Sequence, residues 1–214
     1  MPNLIYIADP MCSWCYGFGP ELLALLEGLP GLPVEIVVGG LRAHNTEVMD
    51  PSAKAELMTH WKKVHETSGL PFVDLAIEQP GFIYNTEPAC RAVVAARTLA
   101  PMASLAVFHA IQHAFYGEGR DVTLGDVLAE VCCAALNAAA TPTRADAFHD
   151  LWSSEKIVLA THGDFVQTKN WKIDGFPALV LERNGQLDMI TSGYARVEVL
   201  VEQLQALIDH SAQP

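Results

Sequence analysis

The sequence predicts an α/β fold interrupted by an all-helical insertion, and three observations predict it. A short apolar run, a helical stretch and a second β-like run open the chain as a βαβ unit, over about residues 3–40. From about residue 44 to about residue 150 every readable segment has helical character. β character then returns as a hairpin signature, and an amphipathic helix closes the chain. The division that follows is 1–43 and 152–214 for the α/β unit and 44–151 for the insertion.

Each element has a local reason. Leu4-Ile5-Tyr6-Ile7 is short, apolar and partly β-branched, the pattern of a buried strand over about 3–8. Glu21-Leu22-Leu23-Ala24-Leu25-Leu26-Glu27 carries the helix expected over about 13–28. Val34-Glu35-Ile36-Val37-Val38, ended by Gly39-Gly40, supplies the second strand, joined to the first by a right-handed crossover. Asp50-Pro51 offers an N-cap followed by a first-turn proline, and Gly69 a stop. Pro71, Pro80 and Gly81 mark a long connection. Thr86-Glu87-Pro88 opens the next helix, Pro101 one that runs to Tyr116-Gly117, Thr123 another, and Thr141-Pro142 the last of the insertion. The alanine-rich run from Ala134 to Ala140 favours helix. A helix over about 153–168, interrupted near Gly163, leads back to the sheet. Phe176 to Glu182, the turn Asn184-Gly185, and Leu187 to Thr191 read as a hairpin that Gly193 ends, and Val197 to Ile208 as the closing helix. Pro177 cannot donate to a ladder, so it belongs at an edge, a start or a bulge.

The junction between the first strand and helix carries the chemistry. Asp9-Pro10-Met11-Cys12-Ser13-Trp14-Cys15 places Cys12 where a helix begins. The first N–H groups of a helix lack intrahelical partners and carry partial positive charge, which favours a thiolate, the attacking species in disulfide exchange. Cys15 lies one turn on, within reach to attack a mixed disulfide on Cys12 and release the partner. Cys12 and Cys15 are therefore the candidate catalytic pair, nucleophile and resolving thiol. The competing reading is half of a structural zinc site, which needs two further ligands. Cys132 and Cys133 are adjacent and point about 100° apart on a helix, and Cys90 is isolated; these three read as small buried hydrophobes. His109 and His113 stand one turn apart without an apparent third ligand, so no metal is expected.

Composition bounds the partners. Half of the 214 residues are apolar, enough for a substantial core. A net charge of −12 with 13 Lys plus Arg argues against a nucleic-acid groove or an anionic membrane surface. No stretch has the unbroken apolar length of a membrane span, and the opening Met-Pro-Asn passes straight into the first strand without a secretion signal. The expected compartment is the cytoplasm, where five cysteines do not make a disulfide framework.

The order βαβ with Cys-x-x-Cys, helical insertion, helix, hairpin, helix resembles the DsbA-like branch of the thioredoxin superfamily, over nearly the whole chain. Asp9-Pro10-Met11-Cys12-Ser13-Trp14-Cys15-Tyr16-Gly17 resembles the cytoplasmic FrnE-like group of disulfide isomerases. Asn85-Thr86 with Ala89 and Arg91, and Phe115-Tyr116-Gly117-Glu118-Gly119-Arg120-Asp121, are similar to segments of that group's helical domain. The resemblance implies a thioredoxin fold, a mixed sheet flanked by helices. It also implies a helix-kinking proline, matched by Pro20, and a cis-proline loop beside the cysteines, matched by Gly175-Phe176-Pro177. The 176–177 bond is then expected cis, with its extended backbone pairing with bound peptide.

Ser13 and Trp14 stand where DsbA has Pro and His, so a cationic stabiliser of the nucleophile is missing, and the first Lys or Arg of the chain is Arg42. Asp9 adds a carboxylate that opposes a thiolate, so a couple milder than that of DsbA is expected. Asp9 reads equally as a turn residue before Pro10. Trp14, Tyr16 and Phe18 read either as an apolar lip for substrate or as packing, with packing favoured for Phe18. Capping and surface pairing account for Asn85 and Arg91. The function implied is thiol-disulfide exchange on protein or peptide substrates, with no bound cofactor and with glutathione or a thioredoxin system supplying reducing equivalents. Two alternatives stand beside it. One is a glutathione-dependent isomerase or transferase of the kappa-class or hydroxychromene-carboxylate isomerase type, whose members use serine near the first-cysteine position; the other is a non-enzymatic client-binding protein.

Overall fold

The computed structural model describes residues 2–211. Met1, on which the expected absence of a leader rests, and residues 212–214 lie outside them. The chain opens with β1 (Asn3–Ala8), α1 (Ser13–Glu27) and β2 (Val34–Val38). Helices α2 (Pro51–Ser68), α3 (Glu87–Leu99), α4 (Ser104–Gln112), α5 (Gly125–Ala138), α6 (Ala145–Trp152) and α7 (Glu155–Asn170) follow. The hairpin β3 (Ala178–Arg183) and β4 (Gln186–Ser192) and the helix α8 (Val197–Ser211) complete the fold. A 3-10 turn, Pro101–Ala103, leads into α4, and a π-helical turn, His113–Gly117, follows it. Among the described residues no helix is long and apolar enough to cross a membrane.

The sheet is mixed, in the order β2-β1-β3-β4. β1 runs parallel to β2 and antiparallel to β3, with Tyr6 opposite both Ile36 and Leu179. Alternation along β1 divides the core. Leu4, Tyr6 and Ala8 face the main core with α1 and the helices, whereas Ile5 and Ile7 face a smaller cluster with Val37, Ile173 and Val180. The main core is continuous across the sheet and the helical segment, where Tyr6 meets Phe108 edge-on at 5.5 Å. The ion pair of Arg97 with Asp164, at 2.8 and 2.9 Å, ties α3 to α7, and Asp164 also accepts from the β2 amide of Val38 at 3.0 Å. Because β1 and β2 are parallel, the loops after both strands emerge at one edge of the sheet.

Local chemistry explains the boundaries. The Asp50 carboxylate accepts from the Ala53 amide at 2.8 Å, and Gly69 ends α2 at φ 72°. Asn184 and Gly185 both have positive φ, as a two-residue hairpin turn requires. Three expectations need correction. α7 is unbroken at Gly163, because Thr161, Phe165 and Thr168 bury one face and Asp164 is held by Arg97. α5 starts at Gly125 rather than Thr123, since the Asp121 carboxylate takes the Thr123 amide at 2.9 Å and hydroxyl at 2.6 Å in a turn of its own. α6 starts at Ala145 rather than near Thr141, because Thr141 and Thr143 hydrogen-bond back to Leu136 and Asn137 and close α5.

Candidate active site

Cys12 is the N-cap of α1, with extended backbone, and its carbonyl accepts from the Tyr16 amide at 3.0 Å. Its own amide donates to the Asp9 carbonyl at 3.0 Å, closing a turn over residues 9–12. The Cys12 thiol donates to the Phe176 carbonyl at 3.7 Å, across 164 positions of sequence. The Phe176–Pro177 peptide bond is cis. Pro177 is buried just before β3, and its carbonyl accepts from the Gly193 amide at 2.7 Å. Gly39, after β2, leaves the space in which the Phe176 ring sits: a Cβ there would fall 2.0 Å from Cζ.

The two sulfurs occupy unlike surroundings. Cys12 is 5% exposed and lines a cavity of about 460 Å³, whereas Cys15 is fully buried. Both are thiols. Burial pushes the Cys15 thiol well above its usual range, and the neighbouring Cys12 sulfur adds to the effect. Cys15 is thereby held protonated behind Cys12. Tyr6 lies beneath them, its hydroxyl 3.4 Å from the Cys15 carbonyl, and burial raises it in turn.

Asp9 is fully buried. Its carboxylate accepts from the Met11 amide at 2.8 Å, the Leu41 amide at 2.7 Å and the Cys90 thiol at 3.4 Å, which joins the loops after β1 and β2 and explains why Cys90 is buried there. Burial raises its carboxyl above the ordinary range, against the hydrogen bonds from Thr86, Met11 and Leu41.

The cavity wall contains Met11, Cys12, Ser13, Trp14, Gly175 and Phe176, together with Arg42, Glu56, His60 and Tyr84. Arg42, the first cation of the chain, lines the same cavity as Cys12, although none stands between the two cysteines. It is 30 positions from Cys12, but the parallel pairing of β1 and β2 returns it to the same sheet edge. That pairing was the signal that could have found it. Glu56 and His60 come from α2 and had no motif to mark them. A second cavity, of about 480 Å³ at the opposite end of β1, is walled by Leu29, Pro30, Leu32, Pro33 and Leu181 and holds no nucleophile.

The aromatic residues of the motif separate. Trp14 is half-buried at the cavity, its ring 6.0 Å from His60 and 5.7 Å from Tyr194. Phe18, one turn later on the same face, is buried 6.4 Å from Tyr194. Tyr16 points the other way and stacks on Tyr116 at 4.9 Å, so it packs and forms no lip. Pro20 lies inside α1. His113 pairs with Glu118 at 3.5 Å near the surface, while burial lowers His109 to about 4. Among the described residues no cluster of three or more His, Cys, Asp or Glu could hold a metal ion. Asn85 accepts from the His44 and Glu87 amides, and Arg91 pairs with Glu87 at 3.0 Å and covers the Trp152 ring at 3.9 Å.

A family model described as DSBA-like thioredoxin domain matches residues 4–205. A provisionally assigned protein disulfide isomerase from Nitrosomonas europaea is 36% identical, with a TM-score of 0.87 and 98% of each chain covered. The cytosolic disulfide reductase DsbM from Pseudomonas aeruginosa is 25% identical, with a TM-score of 0.77 and coverage of 97% of this chain and 99% of that one; it has also been solved with GSH. A 2-hydroxychromene-2-carboxylate isomerase, 16% identical over 98% of each chain with a TM-score of 0.67, shares the fold. No curated protein matches the chain in sequence.

Proposed function

This chain belongs to the DSBA-like thioredoxin domain family and is a thiol-disulfide oxidoreductase, and we propose that it exchanges or isomerises peptide and protein disulfides in the cytoplasm through Cys12 and Cys15. The observation that carries this reading is the placement of Cys12: at the start of α1, facing a cavity and the Phe176 carbonyl, with Cys15 buried behind it.

The Cys12 thiolate attacks one sulfur of a substrate disulfide. An S–S bond to Cys12 forms, the substrate bond breaks, and the leaving thiolate takes a proton from solvent. Cys15 then loses its proton and attacks the Cys12 sulfur, freeing the second substrate thiol and leaving a Cys12–Cys15 disulfide. The substrate is reduced by two electrons and the dithiol oxidised. Two glutathione molecules, or the dithiol of a thioredoxin system, restore it and leave as the oxidised partner. The structure of DsbM with GSH supports glutathione as a ligand of this site, and we read it as a co-substrate. Arg42 and Glu56 give the cavity charges of both signs that suit its carboxylates and amine, and His60 adds a polar ring to the wall.

Phe176 and Pro177 present backbone to the substrate, with Ser13 and Trp14 shaping the entrance. Asp9 and Tyr16 act as modulators, Asp9 by holding the Met11 amide just ahead of Cys12 and Tyr16 through its packing under the loop. Residues 1–43 and 152–214 make the thioredoxin-like unit and 44–151 the insertion. The cytosolic location of DsbM supports the compartment.

Insulin reduction and reactivation of a scrambled substrate test the reading: wild type is active and Cys12→Ser is not. A second reading, glutathione transfer to a small molecule, is favoured by the Ser13 hydroxyl in the same cavity. Conjugation that survives Cys12→Ser and fails in Ser13→Ala would select it.

A further inference from the structure

Two segments singled out in the sequence, around Asn85-Thr86 and Phe115 to Asp121, take no part in the exchange steps. Each contributes or adjoins a buried tyrosine that reaches the redox loop. The Tyr84 hydroxyl donates to the Met11 carbonyl at 2.5 Å, and the Tyr116 hydroxyl donates to the same carbonyl at 2.6 Å. The two phenol oxygens lie 3.3 Å apart. Each phenol has one hydrogen, so with both directed at Met11 the oxygens stay close because they share an acceptor. Tyr84 is 2% exposed, and Tyr116 and Met11 are fully buried.

Met11 immediately precedes Cys12. Its amide is already held by the Asp9 carboxylate at 2.8 Å, and the next amide by the Asp9 carbonyl at 3.0 Å. The phenols fix the remaining polar group of this peptide. They also cover the negative end of a carbonyl that would otherwise oppose charge on the adjacent sulfur. The phenols themselves are held firmly: Tyr116 contacts the rings of Tyr16, Trp61, Phe72 and Phe115, and Tyr84 packs edge-on against Phe115.

We infer that Tyr84 and Tyr116 are positioning residues for Cys12, a pair of phenols through which the helical segment sets the reactivity of the redox loop. This rests on Cys12 being the nucleophile. Neither tyrosine touches the reacting sulfur by hydrogen bond; both act through Met11.

The test uses Tyr84→Phe, Tyr116→Phe and the double variant, which remove hydroxyls and keep rings. Readouts are Cys12 alkylation by iodoacetamide as a function of pH, followed by mass mapping, and the exchange equilibrium with glutathione. The double variant is expected to move the alkylation profile to the alkaline side and slow alkylation at neutral pH by about tenfold, with the exchange equilibrium moving toward the disulfide by a similar factor. Tyr84→Phe alone keeps one donor and is expected to show about a threefold effect, which covers a double variant that fails to fold. Trp61→Phe disturbs the same ring cluster without touching a hydroxyl; it is expected to lower the melting temperature and leave the profile in place. A folded double or single variant with the wild-type profile overturns the inference, as does an equal displacement in Trp61→Phe. Wild-type protein whose Cys12 is never alkylated and never exchanges overturns the nucleophile reading instead.

Discussion

Gly39→Ala probes the link between the sheet edge and the cis-proline loop. The φ of Gly39 is not in the left-handed region, so the substitution acts through space alone. A Cβ there lies 2.0, 2.2 and 2.7 Å from Cζ, Cε1 and Cε2 of Phe176. Carbon atoms sit about 3.5–4.0 Å apart, so the ring must move by about 1.5 Å. Phe176 is half-buried and borders the cavity, so its ring has room to swing toward solvent. The expected stability cost is therefore at the low end of overpacking, about 1 kcal/mol. The effect on exchange is larger. The Phe176 carbonyl is the acceptor for the Cys12 thiol at 3.7 Å, and a misplacement of about 1 Å at a reacting centre lowers turnover by up to about a hundredfold. Turnover of a disulfide peptide, with kcat and KM separated, should fall by about tenfold to about a hundredfold while thermal unfolding barely changes. In a Phe176→Ala background the added methyl should do nothing further. Wild-type turnover in Gly39→Ala, or equal harm from the added methyl with and without the Phe176 ring, would show that the sheet edge does not set the position of the cis-proline loop.

Burial holds His109 at about 4, below the usual 6.5, so its folded form resists protonation. Its contribution is complete above the unfolded value and is lost as pH falls toward the folded one, about 3 kcal/mol in all; urea unfolding across that window should show His109→Gln losing less stability than wild type. Arg42→Gln should raise KM for glutathione and flatten its salt dependence while leaving a neutral dithiol little affected; equal effects on both reductants contradict a charge role for Arg42. Arg97→Met leaves Asp164 without its guanidinium partner in a mostly buried place and should cost about 3 kcal/mol by denaturant unfolding, more than Arg97→Met with Asp164→Leu.

The fold was legible wherever short-range chemistry sets a boundary. Asp50-Pro51 and Gly69 mark the ends of α2, Asn184-Gly185 turns the hairpin, and Cys-x-x-Cys stands at the β1–α1 junction. It was less legible where a side chain reaches past its neighbours. Asp121 and Asn137 capture backbone groups of later residues and delay α5 and α6, and packing carries α7 through Gly163. At the site, Cys12 and Cys15 were visible because both lie in one segment. The alternation of Trp14, Tyr16 and Phe18 concealed that helical geometry sends Tyr16 to the opposite side. Arg42, His60 and the phenols of Tyr84 and Tyr116 reach the loop only through strand pairing and helix packing, which sequence separation does not reveal.

The proposed exchange requires that Cys12 attacks and Cys15 resolves. Intact-protein mass spectrometry of Cys15→Ser after incubation with oxidised glutathione or a disulfide peptide tests it most directly. A stable mixed disulfide that maps to Cys12 and vanishes in Cys12→Ser is the expected result. Adducts on Cys90, Cys132 or Cys133 with Cys12 unmodified, or none at all, would contradict it.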